Sequence, residues 1–102
     1  MVGTLYEKGR AREYKTMEIL KKEGWKVSRS AASHGAVDVF AAKGGRILLV
    51  QVKSGRARVK KKELEELIDW GRNSSGDAEV WHFKGRGKFE RRRVYAAKRG
   101  TN

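Results

Sequence analysis

Asp38, Gln51 and Lys53 are the residues whose types and spacing could do chemistry in this chain. Twelve residues separate Asp38 from Gln51, room for two short strands and a turn, and Val52 alone stands between Gln51 and Lys53. Strand side chains alternate, so Gln51 and Lys53 share one face while Val50 and Val52 take the other. An amide oxygen on Gln51 that can ligate a metal then lies beside an ammonium, and Asp38 on the partner strand completes the group. Buried together, these side chains cost several kcal/mol unless they are paired or bound to an ion. In the plainer reading Asp38 begins a strand, Gln51 and Lys53 sit at a fraying strand end, and nothing is catalysed.

The elements that must position them follow from periodicity. Val37-Asp38-Val39-Phe40 and Ile47 to Lys53 are apolar runs joined by Lys43-Gly44-Gly45-Arg46, which reads as an antiparallel hairpin whose second strand is buried on both faces. Met1 to Tyr6 reads as a loose start, and a helix from about Lys8 to Glu23 is closed by Gly24. Glu13, Met17 and Leu20 fall at i, i+4 and i+7, which puts Glu13 on the core-facing stripe, either solvated at its rim or aimed at Asp38. Trp25 to Arg29 alternates as a strand and leads into the small-residue loop Ser30 to Gly35, where His34 reads as an exposed loop residue rather than a general base. After Lys53 come Arg56, Arg58, Lys60, Lys61 and Lys62 with no acid, a solvated face or a phosphate-tracking surface.

A second helix starts around Lys60 to Glu63 and turns Leu64, Leu67, Ile68 and Gly71 inward, with Glu63, Glu65, Glu66 and Asp69 on its outer face. Trp70 lies off that stripe and suits a dimer contact. Arg72 to Asp77 reads as a loop, Ala78 to Phe83 as a strand, Lys84 to Lys88 as a turn, and Phe89 to Tyr95 as a last strand. Alternation sends Arg91 and Arg93 to one face and Arg92 to the other, which suits an edge strand. The expected fold is one α/β domain over 1–102, core about 8–95, with a mixed central sheet flanked by helices in the order α-β-β-β-α-β-β.

Composition narrows the partners. The chain has 102 residues, with 25 Lys and Arg against 12 Asp and Glu, a net charge of +13 that points to a polyanion, nucleic acid first. No Cys is present, so disulfides, thiol catalysis and thiolate zinc sites are excluded, and His34 and His82 cannot make a zinc site unaided. No apolar run approaches a membrane span and no signal peptide opens the chain, so an intracellular protein with no membrane partner is expected. A chain this short buries a small core, which dimerisation would help to complete.

An Asp, then an acid or amide, one apolar residue and Lys on adjacent strands, after a helix carrying Glu, resembles the PD-(D/E)xK restriction-endonuclease-like superfamily. Within it the chain looks like the archaeal Holliday junction resolvases, through Gly9-Arg10-Ala11-Arg12-Glu13, the segment Arg29 to Val39, and Leu49-Val50-Gln51-Val52-Lys53. The likeness covers about residues 8 to 95. It implies a homodimeric endonuclease, dependent on Mg2+ or Mn2+ and on no small-molecule cofactor, that acts on four-way DNA junctions inside an archaeal cell or as a virus-encoded protein. It also implies roles. Glu13 would be the helix carboxylate, reaching the metal through water; Asp38 and Gln51 would hold the metal, and Lys53 would be the catalytic lysine. Ser33 or Ser30 would lie near the scissile phosphate, and Arg10, Arg12 and Arg29 would contact DNA with Arg56, Arg58, Lys60, Lys61 and Lys62. Gln51 departs from the pattern, since these resolvases normally carry Glu there, whereas nucleases of the Mrr type also carry Gln. Two other readings stay open: a related nuclease of the Mrr type or one directed to ends or nicks, and a DNA-binding module without catalysis.

Overall fold

The computed structural model describes residues 5–30 and 35–98. Its elements are α1 (Leu5–Lys22), β1 (Lys26–Arg29), β2 (Val39–Lys43), β3 (Arg46–Ser54), α2 (Lys61–Ser74), β4 (Asp77–Gly85) and β5 (Lys88–Tyr95). The five strands form one sheet in chain order, antiparallel except between β3 and β4, which are parallel because α2 carries the chain back across the sheet. The expected order of elements therefore holds.

Both faces of the sheet are covered. Val39, Ala41, Leu48, Val50, Trp81 and Phe83 pack with Leu20 of α1 on one face. Leu49, Ala78 and Val80 pack with Leu67 of α2, Ala36 and Val37 on the other. Central strands buried twice over are continuous apolar runs, which is why β3 reads Ile-Leu-Leu-Val. Helix α1 ends where expected: Gly24 takes a left-handed φ of 95°, Trp25 N–H donates to Leu20 O and Gly24 N–H to Lys21 O, so the last carbonyls of the helix are satisfied.

Several boundaries depart from expectation. Helix α1 already includes Leu5 and Tyr6, and α2 continues through Ser74, where a loop was expected from Arg72; a left-handed Ser75 then closes it, its N–H donating to Arg72 O. Strand β2 starts at Val39 and runs on to Lys43, so Asp38 precedes the strand instead of lying within it. The expected loop residues Ser33 and His34 lie outside the described residues. Among the described residues no helix is long and apolar enough to cross a membrane.

Helix α2 approaches the sheet closely at Gly71. A Cβ added there would stand 2.8 Å from Tyr95 Cδ2 and 3.3 Å from Ala78 Cβ. Ala is ordinarily better than Gly in a helix interior by about 1 kcal/mol. Here overpacking outweighs propensity, and Gly71→Ala is expected to destabilise by about 1–2 kcal/mol in a denaturant titration. A rise in the unfolding midpoint would show that Tyr95 yields without cost.

Candidate active site

Asp38 is held to β3 by two bonds of different kinds. Its N–H donates to Val50 O at 2.8 Å, and its carboxylate Oδ2 accepts Val52 N–H at 2.7 Å. The side chain thus takes the place of a backbone acceptor and lies against the residue between Gln51 and Lys53. Burial pushes the Asp38 carboxyl up from its ordinary 3.8 to about 6, against the Val52 N–H that pulls it down. The nearby charges of Glu13 and Glu63 push it further up, while Lys53 pulls it down.

Gln51 is 3% exposed, and its Oε1 has no hydrogen-bond partner. It sits opposite Val80 of β4, and alternation places it on the sheet face covered by α2, with Lys53 two residues on and opposite His82. Lys53 Nζ donates to Glu63 Oε2 at 3.2 Å. The other oxygen of that carboxylate accepts Lys60 N–H at 2.9 Å, the bond by which an acid at the third helical position caps an N-terminus. The expectation of an outward-facing Glu63 is therefore corrected: it turns back over the first turn of α2 to reach β3. A capping box is usually announced by Ser or Thr at the cap, and Lys60 in that place hides the signal.

Glu13 lies on the other covered side of the sheet, where its carboxylate accepts from Arg29 Nη1 at 3.1 Å. The pair is about one-fifth exposed on each side. Glu13 is thus neither solvated freely nor in contact with Asp38; it acts on Asp38 through space. Arg29 also stacks over Tyr14 at 5.0 Å, and Arg12 lies 5.7 Å over the Phe83 ring. Arg10 and Ser30 are half-buried, and Ser30 N–H donates to Asp38 O at 2.9 Å.

The cations after Lys53 divide. Arg56 and Arg58 line an open groove of about 960 Å³ together with Lys53, His82, Lys84 and Arg92. His82 fixes its rim by donating from Nε2 to Gly55 O at 2.7 Å. Lys60, Lys61 and Lys62 are exposed at the start of α2, and Lys62 turns toward the acidic flank of that helix with Glu65 and Glu66. Sequence reading missed the groove's far wall, Lys84 and Arg92, because only the pairing of β3, β4 and β5 brings it alongside Lys53. Arg92 keeps the groove side, while its neighbours Arg91 and Arg93 cross to acids on the other face: Arg93 pairs with buried Glu79 at 2.8 Å, and Arg91 with exposed Glu23 at 2.7 Å while stacking 4.1 Å over Trp81.

These donors fit a hard cation. A carboxylate that is costly to leave charged, just before β2, and a buried amide oxygen with no partner, on the adjoining β3, would both be relieved by an oxygen-seeking ion. Among the described residues no three His, Cys, Asp or Glu side chains converge on one point, so a cation held there would need Gln51 as a donor with Asp38, and water or phosphate to complete its shell.

With this geometry in view, comparison with known proteins is informative. The family model described as archaeal Holliday junction resolvase (Hjc) matches residues 4–97. A crossover junction endodeoxyribonuclease Hjc from Methanocaldococcus jannaschii is 35% identical over 68 residues, which is 64% of this chain and 50% of the relative. The chain thus spans about half the length of that curated relative. The solved structure of Hjc from Archaeoglobus fulgidus, a Holliday junction resolvase from an archaeal hyperthermophile, superposes with a TM-score of 0.76 at 24% identity, covering 85% of this chain and 73% of that one. The five-stranded mixed sheet with two helices is the fold of that structure, and on the match to residues 4–97 the chain belongs to the archaeal Holliday junction resolvase (Hjc) family.

Proposed function

We propose that this chain is a structure-selective endonuclease that cuts four-way DNA junctions by hydrolysing phosphodiester bonds with the help of Mg2+ or Mn2+. The observation that carries the reading is the orphaned Oε1 of Gln51 on β3, one residue before Val52, whose N–H holds the half-buried carboxylate of Asp38, with Lys53 next along the same strand. Family membership and the names of the relatives support the substrate class. A bound cation would polarise the phosphate and lower the pKa of attacking water. Asp38 and Gln51 would hold it, and Glu13 would act from beyond contact.

Lys53 has two duties in this scheme. In the free protein its ammonium rests on Glu63. With DNA bound it reaches the scissile phosphate and steadies the charge that develops there. The groove of Arg56, Arg58 and Arg92 carries the strand away from that point, and Lys60, Lys61 and Lys62 meet phosphates further on. Three lysines at the start of α2 oppose the helix macrodipole, which favours acids there, so a polyanionic partner accounts for them better than stability does. Two copies acting together would nick two strands, and exposed Trp70, edge-on to Phe40 at 5.9 Å, suits the contact between them.

Cleavage of a labelled four-way junction against flap, nicked duplex and single strand, with Mg2+ and then Mn2+, tests the proposal. Equal cutting of all four substrates, or none of any, would count against it. Asp38→Asn is expected to abolish cleavage while leaving junction binding within several-fold, because contacts outside the site carry most of the affinity. The same variant has a signature in stability. A carboxyl raised to about 6 binds its proton more tightly in the folded state than in the unfolded chain, so its contribution to stability is greatest below pH 4 and is lost as pH rises through 6. Asp38→Asn removes that loss, and without divalent cations it should gain on the parent by of order 1–2 kcal/mol between pH 4 and 7. A constant difference across that range would mean Asp38 titrates normally.

The arginine run supplies a second test. Arg92→Ala should make the slope of log affinity against log salt shallower by about 0.9 and leave the unfolding midpoint near the parent's. Arg93→Ala strips a partner from buried Glu79 and should destabilise by about 1–3 kcal/mol with the slope unchanged. The opposite pattern would place the DNA on the α1 face.

A further inference from the structure

Lys53 and Glu63 are the only ion pair that joins the proposed cleavage site to α2 among the described residues. The ammonium is 19% exposed and the carboxylate 34%, so the pair is partly shielded from water. Glu63 does not swing freely, because its second oxygen is fixed by Lys60 N–H at 2.9 Å. That bond, and next to it the ammonium of Lys53, holds the Glu63 carboxyl below its ordinary value, so it is ionised at neutral pH.

The charge at the site makes this pair matter. Gln51 brings no charge to β3, and the carboxylate of Glu13 is matched by Arg29 at 3.1 Å. Asp38 and Lys53 alone would cancel, presenting a divalent cation with a neutral site in a part-buried place. With Glu63 ionised beside Lys53 the site is net negative, which is the condition a hard cation needs. We infer that Glu63 is a positioning residue of this site: it fixes and neutralises Lys53, and so supplies from α2 the acid that β3 lacks at Gln51. The inference rests on reading Asp38, Gln51 and Lys53 as a cation-dependent nuclease site.

Glu63→Gln separates charge from structure, since an amide oxygen still accepts Lys60 N–H and caps α2. Calorimetric titration of the DNA-free chain with Mn2+ should show affinity lowered about tenfold. Junction binding without divalent cation should stay level or rise, and the thermal midpoint should change little. Cleavage should need more Mg2+ to reach half its maximal rate. Adding Gln51→Glu to Glu63→Gln should restore Mn2+ affinity to within about twofold of the parent. Mn2+ affinity in Glu63→Gln within twofold of the parent would overturn the inference, as would failure of Gln51→Glu to restore it. So would a joint fall in junction binding, thermal midpoint and cleavage, which is what a purely structural role produces. A parent chain that binds no Mn2+ would overturn the nuclease reading as well, so the two failures are told apart by the parent alone.

Discussion

The hydrogen bond from Val52 N–H to Asp38 Oδ2 is the contact on which the rest of the site depends. A sheet covered on both faces leaves no water to satisfy polar groups, so a carboxylate can enter only where the backbone offers it a donor. The start of β2 provides that place. By stopping the strand at Val39 the chain lets the Asp38 side chain replace a backbone acceptor, and the acid is drawn against β3 between Gln51 and Lys53. One such bond is weaker than what burial costs the charge, which is why the carboxyl stays raised. The imbalance is stored where a cation would relieve it.

The chain handles its fully buried acids in the opposite way. Asp77 and Glu79 are at most 5% exposed, yet both are compensated: Glu79 accepts from Trp81 Nε1 and from Arg93, and Asp77 accepts Ala97 N–H and pairs with Arg46 and Arg93. These contacts tie edge strand β5 and the start of β3 to the sheet interior, and Arg91 adds a link to Glu23 just past α1. A satisfied network of this kind fixes the fold. The orphaned Oε1 of Gln51 and the raised carboxyl of Asp38 contrast with the completed pairs around Asp77 and Glu79.

Much of this was legible in residue order because local rules and tertiary demands agree. The Gly-Gly turn, the apolar run of β3, the stripe of α2 and the glycine after α1 each specify their element, and the crossover follows from strand, helix, strand. The candidate triad was legible too, since alternation puts Gln51 and Lys53 on one face whatever the rest of the chain does. What escaped depends on long-range pairing or on an incomplete local signature. Arg92 meets Lys53's groove only through β4, and Glu63 turns inward from a face that periodicity assigns to solvent. Asp38 misled for another reason: flanked by Val37 and Val39 it reads as a strand residue, and its backbone does bond to Ser30 N–H and Val50 O, yet the strand begins only at Val39.

Charge is distributed so that stability and proposed function make different demands on neighbouring residues. Arg91 and Arg93 are needed inside, to answer Glu79 and Asp77. Among the described residues no ion pair holds Arg92, Arg56 or Arg58; these cations face one groove, which Lys84 and its partner Glu90 also line. Each unmatched cation raises the self-repulsion of a chain that already carries +13. On the proposed function, a polyanion would complete the side that carries this repulsion, while the other side pairs its arginines internally. The proposed cleavage site adjoins that groove at Lys53, so in this reading binding and chemistry would draw on one concentration of positive charge.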